Sequence, residues 1–347
     1  PRPLLAKGAT KHVGDAVVMI VAETLDQARD ASELVEIDYD MLPAVASTAG
    51  ALATDAPQVW PEAKGNLCFD WEMGDRPAVE SAFSKAAHVT KVDLVNNRIV
   101  VNSMEPRNAI GDYDRNDDKM VLYTSSQGVH GLKRQLATSI FKVPDNRIRV
   151  VTRDVGGGFG MKIFLYPEQA LVMWAAKKIG RPVKWTGDRA EAFTSDTHVT
   201  TAELALDADG KFLAMRFSTT AALGAYLSNF GPFIPTMAGA KLYAAVYTTP
   251  AVLYHVKGVF TNTVPVDAYR GAGRPEAAYA VERLVDAAAR EIGLSPAEIR
   301  RRNFIPPSAM PYTTCLGSEY DSGDFLKNME DALARGDWDG FEARKAE

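Results

Sequence analysis

Cysteine is nearly missing from this sequence: Cys68 and Cys315 are the only two in 347 residues, and they stand far apart. That excludes a disulfide framework, a cysteine-held structural zinc and an iron–sulfur cluster built from this chain alone. It also suits a reducing compartment, so a cytoplasmic location is expected. Histidine is scarce as well. His12, His88, His130, His198 and His255 form no H-x-x-x-H or comparable pair, so a metal is not expected on ordinary protein ligands. Positive charge is in deficit, 39 Lys and Arg against 44 Asp and Glu, which argues against nucleic acid or an anionic membrane as the main partner. No apolar run reaches membrane-spanning length, and no signal peptide opens the chain. A start at Pro1 and a polar end from Phe341 to Glu347 give the expectation of a piece of a longer polypeptide.

The remaining pattern is that of an α+β protein. Asp15 to Val21 is an apolar strand by pattern. Thr24-Leu25-Asp26-Gln27 opens a helix through Leu34 with a capping box, and Val35, Ile37 and Tyr39 alternate with acids as a half-buried strand. Met41 to Gly74 lacks any sustained period and reads as a connector anchored by Trp60 and Trp71. A helix from Pro77 to Ala87 then leads into strands at Val89–Leu94, Arg98–Val101, Lys119–Tyr123 and Thr201–Leu206. Asp207 to Gly210 turns the last of these into a hairpin with Phe212–Phe217. Glu276 to Ile292 places Val281, Leu284, Val285 and Ala288 on one helical face, and Ser295 caps a further short helix. There are no repeats.

The densest chemical signal is Val155-Gly156-Gly157-Gly158-Phe159-Gly160-Met161-Lys162. Four glycines around one aromatic strip side chains from a short loop, so that its amides can approach something large and rich in acceptors. A strand at Arg147–Val151 enters the loop, and a helix from Glu168 to Ile179 follows it. The spacing fails both common phosphate templates. G-x-G-x-x-G needs glycine at Met161, and the P-loop needs Gly-Lys-Ser/Thr where Met161-Lys162-Ile163 stands. A tight strand-to-helix turn with no ligand is the bland alternative, and Phe159 could then be simple core.

Three further motifs accompany the loop: Ser103-Met104-Glu105-Pro106-Arg107, Gln127 with Gly128-Val129-His130-Gly131-Leu132, and Asp267 to Glu276 with its Tyr269-Arg270-Gly271-Ala272-Gly273 core. This ordered set resembles the molybdenum-binding large subunit of the xanthine oxidase family, in its bacterial carbon monoxide dehydrogenase-like and aldehyde oxidase branch. The resemblance implies a small α/β hammerhead-type unit followed by a molybdopterin-binding α+β domain. It divides the chain into the C-terminal part of the hammerhead-type unit over 1–45, a connector over 46–75, a first molybdopterin-binding domain over 76–310, and the start of a truncated second one over 311–347. It implies a molybdenum–molybdopterin cytosine dinucleotide here, with [2Fe-2S] and FAD on partner subunits, and a dimer of heterotrimers.

By the same resemblance, Gln127 hydrogen-bonds an oxygen ligand of the molybdenum, Phe159 and Gly160 offer it backbone contact, and Arg270 stabilises the anionic cofactor. Gly157, Gly158 and Gly271 complete the cofactor set, and Ile163 and Ala272 face the substrate. The implied reaction is oxidative hydroxylation with water as the oxygen source. The family's general-base glutamate belongs to a far C-terminal segment outside this chain, so little turnover is expected of these residues alone. Purine oxidases carry a glutamate where Ile163 stands and a phenylalanine where Ala272 stands, and their purine-binding arginine has no counterpart around Ser195 to Val199. Carbon monoxide oxidisers carry a copper-holding cysteine where Gly271 stands. An aldehyde or aromatic N-heterocycle therefore fits best. Carbon monoxide dehydrogenase-like activity and a non-catalytic assembly module are the alternatives. Glu105, Glu168 and Glu276 are expected to be structural, with Glu105 orienting Arg107.

Overall fold

The computed structural model describes residues 2–189 and 198–346. In chain order the regular elements are α1 (Leu25–Glu33), α2 (Thr48–Ala51), β1 (Leu67–Gly74), α3 (Arg76–Phe83), β2 (His88–Asn96), β3 (Asn108–Asp114) and β4 (Lys119–Tyr123). Then come α4 (Val129–Gln135), β5 (Ile148–Val151), α5 (Pro167–Ile179), β6 (Val183–Thr186), β7 (His198–Leu206), β8 (Phe212–Gly224) and β9 (Ala251–Phe260). The chain closes with α6 (Arg274–Glu291), α7 (Pro296–Asn303), the short pair β10 (Tyr312–Thr313) and β11 (Glu319–Tyr320), α8 (Phe325–Arg335) and α9 (Phe341–Ala346). No described helix is long and apolar enough to cross a membrane.

Two sheets organise these elements. The larger has the order β1-β9-β8-β7-β2, and only its β8–β9 pair is parallel. Alternation along β7, β8 and β9 sends Leu204, Met215, Phe217, Val252 and Tyr254 to one face. There they meet Val281, Leu284, Val285 and Ala288, the predicted stripe of α6. Val79 of α3 packs with Ala214 and Leu253 in a smaller cluster. The second sheet has the order β5-β4-β3-β6, parallel only between β4 and β5. Helix α5 lies on β3 and seals the sheet with Val172, Met173 and Ala176. Proline at its first position starts α5, and Gly180, at φ +71°, ends it. The parallel return from β8 to β9 runs through residues 225–250 and includes a π turn, Ile234–Ala238.

Several local expectations hold, and others give way. The Thr24 capping box forms reciprocally, each bond 3.2 Å. The β7–β8 hairpin turns at Asp207–Gly210 with Gly210 at φ +78°. By contrast, Asp15–Val21 and Val35–Tyr39 form no strand: neither has a ladder partner among the described residues, and Val35, Ile37 and Tyr39 are exposed. Alternation marks a face, but a strand needs a neighbour to take its backbone hydrogen bonds. Arg98–Val101 forms no strand; the Arg98 guanidinium donates to Thr263 Oγ1 at 2.7 Å. The stretch read as a connector hides β1, an edge strand paired to β9, so Trp71 is a strand residue packed against Tyr254. Trp60 does anchor a loop, donating from Nε1 to the Ala225 carbonyl at 2.6 Å.

Gly111 on β3 shows how closely α5 is seated: a Cβ there would stand 2.4 Å from the Val172 carbonyl. Gly111→Ala is predicted to lower unfolding free energy by about 2 kcal/mol. Gly131→Ala, a position in α4 with open space around it, should stabilise by about 0.5–1 kcal/mol. Urea titration measures both, and a Gly111→Ala midpoint equal to wild type would contradict the packing described.

Candidate functional site

The glycine loop leaves β5 and returns to α5 with three positive φ angles, Gly157 at +96°, Phe159 at +53° and Gly160 at +104°. Two of its glycines are required by close neighbours. A Cβ on Gly158 would stand 2.3 Å from Gln127 Oε1, and one on Gly160 would stand 2.2 Å from the Ala268 carbonyl oxygen. Phe159 is not a core residue, the bland reading of it. The residue is 43% exposed, and its left-handed backbone costs on the order of 1–3 kcal/mol that the surroundings must offset.

Gln127 sits between β4 and α4, tied to the loop at both ends. Its N–H donates to the Lys162 carbonyl at 2.9 Å, and its Oε1 accepts from the Gly160 and Lys162 N–H groups at 3.0 and 3.2 Å. Two donors on one oxygen fix which way the amide faces, because a flipped NH2 would meet two N–H groups. Nε2 is thereby presented as a pure donor, and nothing among the described residues accepts from it.

The third motif joins the same junction. Arg270 N–H donates to the Phe159 carbonyl at 2.9 Å. Residues 269–273 then make a tight turn, Ala272 N–H to Tyr269 carbonyl at 2.7 Å, with Gly271, Ala272 and Gly273 all at positive φ. The π-turn segment buttresses it, since a Cβ on Gly239 would lie 2.2 Å from the Gly273 carbonyl. Arg270 is exposed at this turn. Of the two substrate-facing candidates, Ile163 closes the glycine loop, its N–H on the Gly160 carbonyl at 3.3 Å, and Ala272 lies in the second turn. Phe164, next to Ile163, packs edge-on against Phe230 at 5.7 Å, so the aromatic stretch Tyr226–Phe233 borders the junction. Ser195–Thr197 lie outside the described residues.

Sequence reasoning missed the ion pair behind the loop. Lys162 Nζ, on a side chain 1% exposed, donates to Glu105 Oε2 at 2.7 Å. The same oxygen accepts from Gly156 N–H at 2.9 Å, while Asn108 Nδ2 donates to Oε1 at 3.2 Å. Burial acts to raise the Glu105 pKa, but the hydrogen bonds from Lys162 and Gly156 outweigh it and hold the carboxyl below its ordinary value. Glu105 therefore does not orient Arg107. Arg107 lies 3.9 Å over the Tyr166 ring and 5.3 Å from that of Trp185, with Glu168 at 3.5 Å. The one available signal for Glu105 was a lysine placed directly after the glycines, with an acid in the preceding motif.

A strand, a glycine-rich loop, a helix, and a donor-only amide beside a second glycine turn meet at this junction, and residues 59–304 match the molybdopterin cofactor-binding domain family. The chain belongs to the xanthine oxidase family of molybdenum-binding large subunits. It is 35% identical over 95% of its length to the 6-hydroxypseudooxynicotine dehydrogenase complex subunit gamma of Paenarthrobacter nicotinovorans. It is 33% identical over 95% of its length to the carbon monoxide dehydrogenase large chain of Hydrogenophaga pseudoflava. The crystal structure of quinoline 2-oxidoreductase from Pseudomonas putida 86 superposes with a TM-score of 0.92 over 99% of the chain at 33% identity. The chain spans 42%, 43% and 44% of these three proteins, respectively.

Gly160→Ala places a side chain both at φ +104° and against the Ala268 carbonyl. It is predicted to cost about 2–3 kcal/mol of stability and to speed hydrogen exchange at the Arg270 amide. Chemical denaturation and exchange mass spectrometry test this; protection at Arg270 that survives the substitution would contradict the junction.

Proposed function

We propose that this chain forms the cofactor-binding part of the large subunit of a molybdenum-dependent hydroxylase. The substrate is an aldehyde or aromatic N-heterocycle, and water is the oxygen source. In this reading the cofactor is molybdenum–molybdopterin cytosine dinucleotide. Electrons pass to [2Fe-2S] and FAD on partner subunits, in a cytoplasmic dimer of heterotrimers.

The observation that carries the reading is the Gln127 amide. Its oxygen is consumed by the Gly160 and Lys162 N–H groups, so it can offer only hydrogen-bond donors, at a junction of two glycine turns. Such a cradle fits an anionic, oxygen-bearing group too bulky to approach past side chains. Gln127 donates to an oxygen of the group, and Phe159 and Gly160 present backbone to it. Arg270 places an exposed cation beside it, and Gly157, Gly158 and Gly271 shape the two turns that carry these groups, their missing Cβ atoms making room for Ser103, Gln127 and Pro275. When bound, the molybdenum cofactor supplies two-electron oxidation and activation of water. The residues of this chain orient the group and exclude wrong geometries; preorganised donors do this without reorganising during the reaction.

Ile163 and Ala272 supply apolar, uncharged wall, which suits a small or flat substrate. The likeness to a quinoline 2-oxidoreductase lends weight to the heterocycle. Gly271 offers no thiol for copper, which counts against carbon monoxide despite the likeness to a carbon monoxide dehydrogenase large chain.

The full-length protein, expressed with its partner subunits, is expected to carry a full complement of molybdenum and to oxidise quinoline-type, nicotinate-type or aldehyde substrates. Gln127→Ala should lower kcat by about 10²-fold while the protein stays folded. Elemental analysis and a substrate screen are the measurements. Wild type without molybdenum, or with xanthine as its preferred substrate, would overturn the proposal.

A further inference from the structure

The mechanism above uses Gln127 but not the buried charge behind it. Lys162 is unusual in carrying a cation to a side-chain exposure of 1%, where a single carboxylate at 2.7 Å receives it. A buried cation is costly without its partner, so this pair must persist whenever the loop is in place. The connections on either side of it lead to Gln127. The Lys162 backbone holds Gln127 twice, accepting from its N–H at 2.9 Å and donating to its Oε1 at 3.2 Å. Glu105 meanwhile grips the far end of the loop. Its Oε2 accepts from Gly156 N–H at 2.9 Å, and its own N–H donates to the Gly156 carbonyl at 3.0 Å. One carboxylate thus closes both ends of residues 156–162, and Asn108 Nδ2 at 3.2 Å keeps that carboxylate from rotating.

We infer that Glu105 and Lys162 are positioning residues for Gln127. Their ion pair holds the glycine loop in the conformation in which two of its N–H groups meet the Gln127 amide oxygen and turn the amide N–H groups outward. Neither side chain touches the cofactor or substrate in this account. The inference rests on the reading of Gln127 as a cofactor donor, and the pair's electrostatic energy reaches the site only through that amide. Replacing Glu105 leaves the Lys162 cation buried and unmatched, which favours loop conformations that bring it to water, and replacing Lys162 removes the partner that holds the half-exposed carboxylate against the loop. Gly160 and Lys162 N–H groups then lose Oε1, and the amide is free to rotate.

The test uses the assembled enzyme with Glu105→Gln and Lys162→Met, each alone and combined with Gln127→Ala. Glu105→Gln is the isosteric choice, should Lys162→Met fold poorly. Hydrogen exchange at the Gly160 and Lys162 amides should accelerate about tenfold or more, with the β7–β8 ladder unchanged. Turnover should fall about ten- to a hundredfold in kcat with KM shifted no more than about threefold, and the Mo(V) resonance signal should change. On the Gln127→Ala background, Glu105→Gln should add no further loss, because the residue it positions is gone. Unchanged exchange at those two amides overturns the inference, as does a full additional loss of kcat on that background. Wild type lacking molybdenum overturns the functional reading, and the exchange result then decides the positioning claim by itself.

Discussion

Backbone lying against backbone, with no Cβ between, is the constraint on which this structure turns. At Gly111 it lets α5 settle onto β3 within reach of the Val172 carbonyl. At Gly158 and Gly160 it lets a loop from the second sheet meet Gln127 on one side and the Ala268 carbonyl on the other. The second sheet and the candidate site therefore share one design: small residues allow contact, and hydrogen bonds then fix what contact allows. The alternative, side chains interleaving at the junction, would separate the three motifs by their own thickness and leave the amides facing packing rather than a ligand.

Charge plays a supporting part and is kept out of sight of the site. Lys162 with Glu105, and Arg107 between Tyr166, Trp185 and Glu168, are partnered within the protein. Each ties the segment 103–108 to the glycine loop or to the start of α5. Arg270 differs in being exposed at its turn.

Much of this was visible in the residues, and the misses have physical causes. Helix α6 and the β7–β8 hairpin were legible because periodicity and turn chemistry are local. So was the Gln127–glycine loop–Arg270 order. Strand β1 was not, because an edge strand that also meets turn-rich sequence has no clean alternation, and its assignment depends on β9 far along the chain. The N-terminal pattern misled in the opposite sense: Val35, Ile37 and Tyr39 alternate, yet no neighbour among the described residues completes a ladder. Glu105 was assigned to the nearest arginine in sequence, whereas the fold brings it to a lysine 57 residues away. Long-range pairing of charges is information that spacing alone does not carry.

The single parallel pair in the large sheet has a consequence for how such a site can diversify. Antiparallel neighbours can be joined by a two-residue turn, but β8 and β9 cannot; the chain must travel the length of the sheet before it pairs again. That obligatory detour, residues 225–250, is what delivers Phe230 and the Ile234–Ala238 turn to the glycine junction. Its ladder is anchored at both ends while its middle carries no ladder bonds. New shapes at the rim of the junction can therefore be sampled over its exposed stretch around Leu227–Phe233, while Ala240, Tyr243, Ala244 and Tyr247 stay in the core under the large sheet.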